Sequence, residues 1–467
     1  MSIRSIVPLL LLAALLASYQ SLVQAAHAAR LELPTILVDL AHGQNYNGVC
    51  AMMSVVPDAY WIILVKSNAQ VDQLPQCIKN RAYGIAVGDL TVLTKEASID
   101  MVIIGQPVEP LSKAEKDAVA SWFGGEGRKA LWCATDSDYP AQGGNLELAQ
   151  HICNDLLDYL AQKGFDVKLR SDYVSIEDTK SNAGRSYRVV AFVQPPSRYD
   201  ADLLALGAEK VLMHGPGAVA WVDENGNWHK VTDPGTPDTI IPILFTSENG
   251  VVVEHQPRNP GEPGEFGYAH QAGEKGRFVL MAAQIVNTSK GTKIVIVSGE
   301  SPYFGYQSLV SYYYHGIHLD GPRFFRNLIL WATGNYEELK IFKKEMEVLE
   351  KAKEAALEAA KKAEQAMDTA QQAMKKAEDA SQAASGAKSY VDKRLSEVQA
   401  SLNQALQQGL NKAVEQLKSY VDQRMAAASN AAGQAESKAS SAMSIAVGSL
   451  VLAIIALIAA GLAMRRK

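Results

Sequence analysis

Residues 351–391 read KAKEAALEAAKKAEQAMDTAQQAMKKAEDASQAASGAKSYV. Apolar residues recur there at alternating steps of four and three: Ala352, Ala356, Ala359, Ala363, Ala366, Ala370, Ala373, Ala377, Ala380, Ala384, Ala387 and Val391. Such a heptad seam is the mark of helices winding around one another. Larger seam residues follow: Leu395, Val398, Leu402, Leu406, Leu410 and Leu417. The block Lys388–Arg394 returns as Lys418–Arg424, which suits a rod lengthened by duplication. A continuous helix over 336–443 would reach roughly 160 Å. The seam predicts self-association as a parallel coiled coil, a dimer or a trimer.

Outward from this stretch, Ile445–Met464 is an uncharged apolar run long enough to span a bilayer, and Arg465, Arg466 and Lys467 follow it. At the other end, Arg4, the apolar stretch Ile6–Leu16 and the small residues Ala25, Ala26, Ala28 and Ala29 have the pattern of a secretory signal. The expected organisation is a signal peptide at 1–29, a head at 30–335, a coiled-coil stalk at 336–443, a transmembrane helix at 444–464 and a basic cytoplasmic tail at 465–467. Head and stalk are expected outside the cell, by the positive-inside tendency.

The chain carries a formal net charge of −5. Its excluded ends hold four positive residues and no acid, so the part between them stands at −9. A mildly acidic surface argues against nucleic acid as partner. The four cysteines, Cys50, Cys77, Cys133 and Cys153, all lie in the head. Outside the cytosol an even number suggests disulfides, and of three connectivities the local pairs Cys50–Cys77 and Cys133–Cys153 are favoured over distant ones. Free buried thiols are the other reading. One glycosylation sequon begins at Asn287.

Within the head, residues 30–184 alternate buried-strand runs (Thr35–Leu40, Tyr60–Lys66, Met101–Gly105, Ala130–Ala134) with helical patterns. One helix opens on Ser112 with Glu115 three residues on, a capping box; another runs over Leu146–Lys163. This predicts a parallel sheet covered by helices on both faces. Residues 185–335 read as a β-rich part separated by Pro- and Gly-rich loops, with a closing helix at Gly321–Trp331. The expected fold class is thus an α/β head with a β-rich extension, a long α-helical coiled-coil stalk and one C-terminal transmembrane helix.

Four segments in order carry a family resemblance: Asp39-Leu40-Ala41-His42-Gly43 after a strand, Gly124-Gly125 before one, Val297-Ser298-Gly299-Glu300-Ser301-Pro302-Tyr303-Phe304, and the helix Phe324–Trp331. Together they resemble the GIFT, or glutamine-amidotransferase-like, group. The resemblance implies a flavodoxin-like sheet used for assembly or ligand binding, usually without catalysis. It covers most of 34–335 and none of the stalk. The overall plan is also similar, in architecture alone, to the membrane-anchored stalk proteins of archaeal surface layers.

Class I amidotransferases place a nucleophilic Cys on a G-x-C-x-G elbow, whose glycines permit the strained turn. Here Leu131-Trp132-Cys133-Ala134-Thr135 has no flanking glycine, and no His-x-Glu pair stands downstream. A disulfide or structural thiol is the reading for Cys133, and no enzyme is expected. Asp39 and His42 leave the carboxyl end of the first strand, the edge where open α/β sheets bind ligands. With Asp136, Glu300 and Tyr303 they are the candidate ligand-binding set. The alternative is that Asp39 and His42 hydrogen-bond loop backbone and shape the turn. One acid and one imidazole make a minimal ligand set, so no metal and no cofactor is expected. Tyr303, Phe304, Tyr306, Tyr312, Tyr313 and Tyr314 form an aromatic cluster that could stack sugars, face a partner protein or pack a loop. The leading expectation is a non-enzymatic, membrane-anchored surface protein that scaffolds an envelope or surface-layer assembly through envelope proteins or glycans. A solute- or glycan-binding receptor, or an auxiliary subunit of a transport complex, is the alternative.

Overall fold

Strand β1 (Thr35–Asp39) carries Ile36 and Val38 into one hydrophobic core and Leu37 into another. A strand apolar on both faces needs cover on both, and the chain supplies it with helices. The computed structural model describes residues 33–95, 98–137, 147–253, 268–303, 309–383 and 388–432. These fall into two units, one of them Leu33–Lys343.

In chain order that unit continues with α1 (Val49–Val55), β2 (Tyr60–Val65), α2 (Asn68–Gln73), α3 (Gln76–Arg81), β3 (Gly84–Val87), β4 (Met101–Gly105), α4 (Lys113–Phe123), β5 (Lys129–Ala134) and α5 (Glu147–Gln162). Eight strands follow: β6 (Leu169–Ser171), β7 (Ser175–Asp178), β8 (Arg188–Val193), β9 (Lys210–His214), β10 (Val219–Val222), β11 (Trp228–Lys230), β12 (Ile240–Phe245) and β13 (Gly250–Val253). Then come β14 (Lys275–Gly276), β15 (Val279–Thr288), β16 (Gly291–Ser298), β17 (Tyr313–Tyr314), β18 (Ile317–His318) and α6 (Gly321–Thr333).

Ten of these strands form one sheet, ordered β3-β2-β1-β4-β5-β16-β15-β12-β8-β9. The first six are parallel and the rest antiparallel. One core lies under α1 and α6, where Phe324, Phe325, Leu328 and Trp331 meet Ile36, Ile103 and Trp132. The other lies under α4 and α5, where Val119, Phe123, Ile152 and Leu156 meet Leu37, Val102 and Leu131. Arg128 satisfies the end of α6, donating from Nε to the Ala332 carbonyl (2.8 Å) and from Nη2 to that of Trp331 (2.9 Å).

This sheet overturns the expected fold class. A flavodoxin-like head with a separate β-rich extension would end its parallel sheet near β5. Instead β16 pairs parallel with β5 while β15 pairs antiparallel with β16, so the second half of the chain extends the same sheet. The cause is apolar demand. Residues 279–286 of β15 and 293–298 of β16 are buried throughout, and only a central position covers both faces of a strand. Past α6 the described residues form two further helices, α7 (Glu337–Ala383), which begins in this unit, and α8 (Lys388–Ala432), within the expected stalk. Among the described residues no helix is long and apolar enough to cross a membrane; the expected span at Ile445–Met464 and the expected signal at 1–29 lie outside them.

Candidate functional site

The strand order reverses between β1 and β4, and the carboxyl ends of these two strands flank the crevice where doubly wound sheets take ligands. His42 follows β1 and is 5% exposed. Its Nδ1 lies 2.7 Å from Asp39 Oδ2 and its Nε2 lies 2.7 Å from Glu115 Oε1. The other oxygens are engaged as well. Asp39 Oδ1 accepts the Ala41 N–H (3.0 Å), and Oδ2 also accepts Gln44 Nε2 (2.7 Å). Glu115 Oε2 accepts the Ser112 N–H (2.8 Å), half of the capping box that opens α4. Burial draws the imidazolium down, but its two carboxylate partners outweigh that and hold it up at about 10. Burial pushes Glu115 up, and its bonds to His42 and Ser112 pull it down to about 2. The result is a buried imidazolium between two carboxylates, with each charge hydrogen-bonded. Neither ring nitrogen of His42 is left for a ligand, and the clamp ties the end of β1 to the start of α4.

The crevice itself is filled. The fully buried Tyr303 donates its hydroxyl to the Asp39 carbonyl (2.9 Å) and accepts the Gly105 N–H (2.8 Å), bridging β1 to β4. Glycine is required opposite the ring: a Cβ on Gly105 would fall 2.6 Å from the Tyr303 hydroxyl. Burial and the Asp39 charge raise the phenol well above its ordinary range, so it stays a neutral hydrogen-bonding plug.

Asp136 and Glu300 follow β5 and β16, the second and third strands from β1 in the sheet, and are 2% and 1% exposed. Cys50 is joined to Cys77, tying α1 to α3, and Cys133 to Cys153, tying β5 to α5. A disulfide-bonded Cys133 offers no thiolate nucleophile. Asn287 is exposed near the end of β15. Tyr312 and Tyr313 are exposed beside the β17–β18 hairpin, while Phe304 and Tyr306 lie outside the described residues.

Sequence reasoning missed Glu115 as a partner of His42, and also Gln44, Gln106 and Gln150. The only local signal was the capping box, which explains Glu115 without reference to His42. Gln106 is marked only by its backbone, which adopts φ 51°.

No protein family matches the chain, and no curated protein matches it. Among solved structures the chain is similar to the mmIFT52 N-terminal domain, with 10% identity and a TM-score of 0.38, over 64% of this chain and 97% of that one.

Proposed function

We propose that this chain is a non-enzymatic assembly protein of the cell surface. Its α/β unit is a contact module of the GIFT-like kind, and α7 and α8 associate with those of further copies. One observation carries the reading: Tyr303 and the Asp39–His42–Glu115 clamp occupy the edge where a sheet of this plan would bind a substrate. The two disulfides support a place outside the reducing cytosol. The test is native mass spectrometry of the full chain isolated from its own envelope. The expected species is a multimer of the chain with no stoichiometric organic ligand. A released ligand whose binding is lost in Asp39→Asn, with the melting temperature unchanged, would overturn the proposal.

A second reading has its own support. Trp228 and Tyr268 stack with ring centroids 4.9 Å apart, and Tyr173 meets both and also His151. Tyr268 is about half exposed. Such a face suits stacking of sugar rings, so a glycan partner is the form this reading takes. Oligosaccharide binding in a glycan array, lost in Trp228→Ala, would support it; an array without hits would remove it.

A further inference from the structure

Arg188 opens β8 and His214 ends β9, and the two stand opposite each other in the antiparallel pair. Alternation along the strands puts Val190 and Leu212 on the same side, where they pack with Leu319, Tyr314 and Ile317. Tyr314 reaches from the β17–β18 hairpin to the Arg188–His214 pair as well. Arg188 Cζ lies over the Tyr314 ring at 5.6 Å and over the Tyr187 ring at 5.4 Å. The His214 ring meets the same two rings edge to face, at 5.5 Å from Tyr187 and 6.1 Å from Tyr314. His315 packs on Tyr314 at 4.2 Å. The Tyr187 carbonyl accepts the Gly215 N–H (2.6 Å), which fixes this wall beside the end of β9.

The half-buried guanidinium of Arg188 thus has rings around it but no acceptor. Its Nε is buried with no hydrogen-bond partner, and no carboxylate pairs with the group, among the described residues. Arg128, Arg170 and Arg326, by contrast, each donate to carbonyl or carboxylate oxygens. Burial, and then the charges of Arg188 and His315, hold the His214 imidazole below its ordinary range. Glu300 accepts the His214 N–H, but burial holds its carboxyl well above the ordinary range, so it brings little charge to balance them. An arginine kept without an oxygen forfeits the strongest hydrogen bonds it can make.

We infer that this is a binding site for an acidic sugar, with the sugar's carboxylate in the Arg188 fork and its ring against Tyr187. A guanidinium fork matches the two oxygens of a carboxylate. Tyr187, Tyr312 and Tyr313 are 39%, 64% and 50% exposed, and a bare inorganic anion would use the fork and leave such rings idle. An extended peptide would have to add to the edge strand β9, and that edge is taken. Lys210 has both backbone groups bonded to Asp320 (2.7 and 3.1 Å), and the His214 N–H goes to Glu300. What fits is a small ring that carries an acid, as a uronate unit of a polysaccharide does. One fork and one exposed ring hold a single unit weakly, so such a ligand leaves on purification. The inference is independent of the proposed assembly, because it uses neither the His42 clamp nor α7 and α8.

The test is isothermal titration calorimetry of the full chain with trigalacturonic acid and with its methyl ester. The acid is expected to bind, and the ester, which keeps the rings and loses the charge, is not. Arg188→Gln should weaken binding by about ten- to a hundredfold, the worth of hydrogen bonds to a charged group. It should melt no lower than the wild type, since it removes a donor that lacks a partner. Arg188→Lys should weaken binding too, because an ammonium keeps the charge without the fork. Trp228→Ala should leave it unchanged. No binding of the acid, equal binding of the ester, or acid binding that Arg188→Gln leaves intact would overturn the site. Competition by inorganic sulfate as effective as by the acid itself would mean an adventitious ion only, and would overturn the sugar. The comparison of acid with ester uses the wild type, so it decides the matter even if a variant fails to fold.

Discussion

His42 stands between two carboxylates at 2.7 Å on either side, and that placement turns a plausible ligand residue into a fastening. Removing one member of a buried charged set leaves the others uncompensated, at a cost of about 3–5 kcal/mol. His42→Ala is therefore expected to lower unfolding free energy by about that much in urea titrations at pH 6. The pH dependence follows from the raised imidazolium. Below its ordinary value of 6.5 the ring is protonated in the folded and unfolded chain alike, and the clamp contributes fully. Between 6.5 and about 10 only the folded chain keeps the proton, so the contribution falls as pH rises. The gap between wild type and His42→Ala should narrow over that window; a gap that widens would contradict the clamp. At the acid end Glu115 acts in the opposite sense, since its contribution is present above 4.5 and is lost as pH falls towards about 2. Tyr303→Phe removes one oxygen that serves two buried backbone groups and should cost about 1–3 kcal/mol by chemical denaturation. Asp39 and His42 were legible in the sequence because they end an apolar run. Glu115 was not, because 73 residues separate it from His42 and its capping role is complete without that partner.

At the scale of elements, β5 shows how much one strand carries. It begins at Lys129, whose Nζ donates to the Ile99 carbonyl (2.6 Å), and it leads into Asp136. Its neighbour β16 repeats the plan, from Lys293, which donates to the Gly125 carbonyl (2.7 Å), to Glu300. Between the ends of β5, Cys133 is bonded to Cys153 of α5 across the core. Replacing both cysteines by alanine should lower stability by about 2–4 kcal/mol, the usual contribution of a native crosslink. Denaturation of wild type and variant with and without reductant checks this; equal midpoints for the oxidised wild type and the variant would deny the crosslink any role. The strands at Tyr60, Met101 and Ala130 were legible as short apolar runs between helical patterns. Their union with the second half was not. A run such as residues 279–286, apolar at every position but Gln284, fits any strand with two covered faces, and nothing local in it names β16 and β12 as neighbours. The β17–β18 hairpin also escaped notice, because its two-residue strands are too short for any period to register.

At the scale of the molecule, α7 and α8 hold the plainest unmet demand. On α7 the seam alanines Ala363, Ala366, Ala370 and Ala377 are half-buried, while Leu349 and Leu357 are 59% and 62% exposed. On α8, Leu406, Leu410 and Val414 are more than half exposed, and Leu417 is 44% exposed. Soluble chains do expose single leucines, but a run of them along one pair of helices is a surface that association would cover. Fully burying a leucine is worth about 1.5–3 kcal/mol, so a few such positions per chain outweigh the entropy of bringing copies together only if several are buried at once. Leu410 and Leu417 stand seven residues apart, which puts them on the same face of α8. In the full chain, the double substitution Leu410→Glu, Leu417→Glu sets four or six charges against one another in a dimer or trimer. Sedimentation velocity at micromolar concentration is expected to show an oligomer for the wild type and a monomer for this variant. Far-ultraviolet circular dichroism should lose helical signal while the unfolding of the Leu33–Lys343 unit stays where it was. The charge-conserving control Leu410→Gln, Leu417→Gln should fall between them. If association needs apolar contact, the glutamine variant loses part of it. If helix content alone were at stake, glutamine and glutamate, similar helix formers, would behave alike. A wild-type chain that sediments as a monomer, with its helices intact, would show that the exposed leucines serve some other partner and would remove self-association from the proposed function.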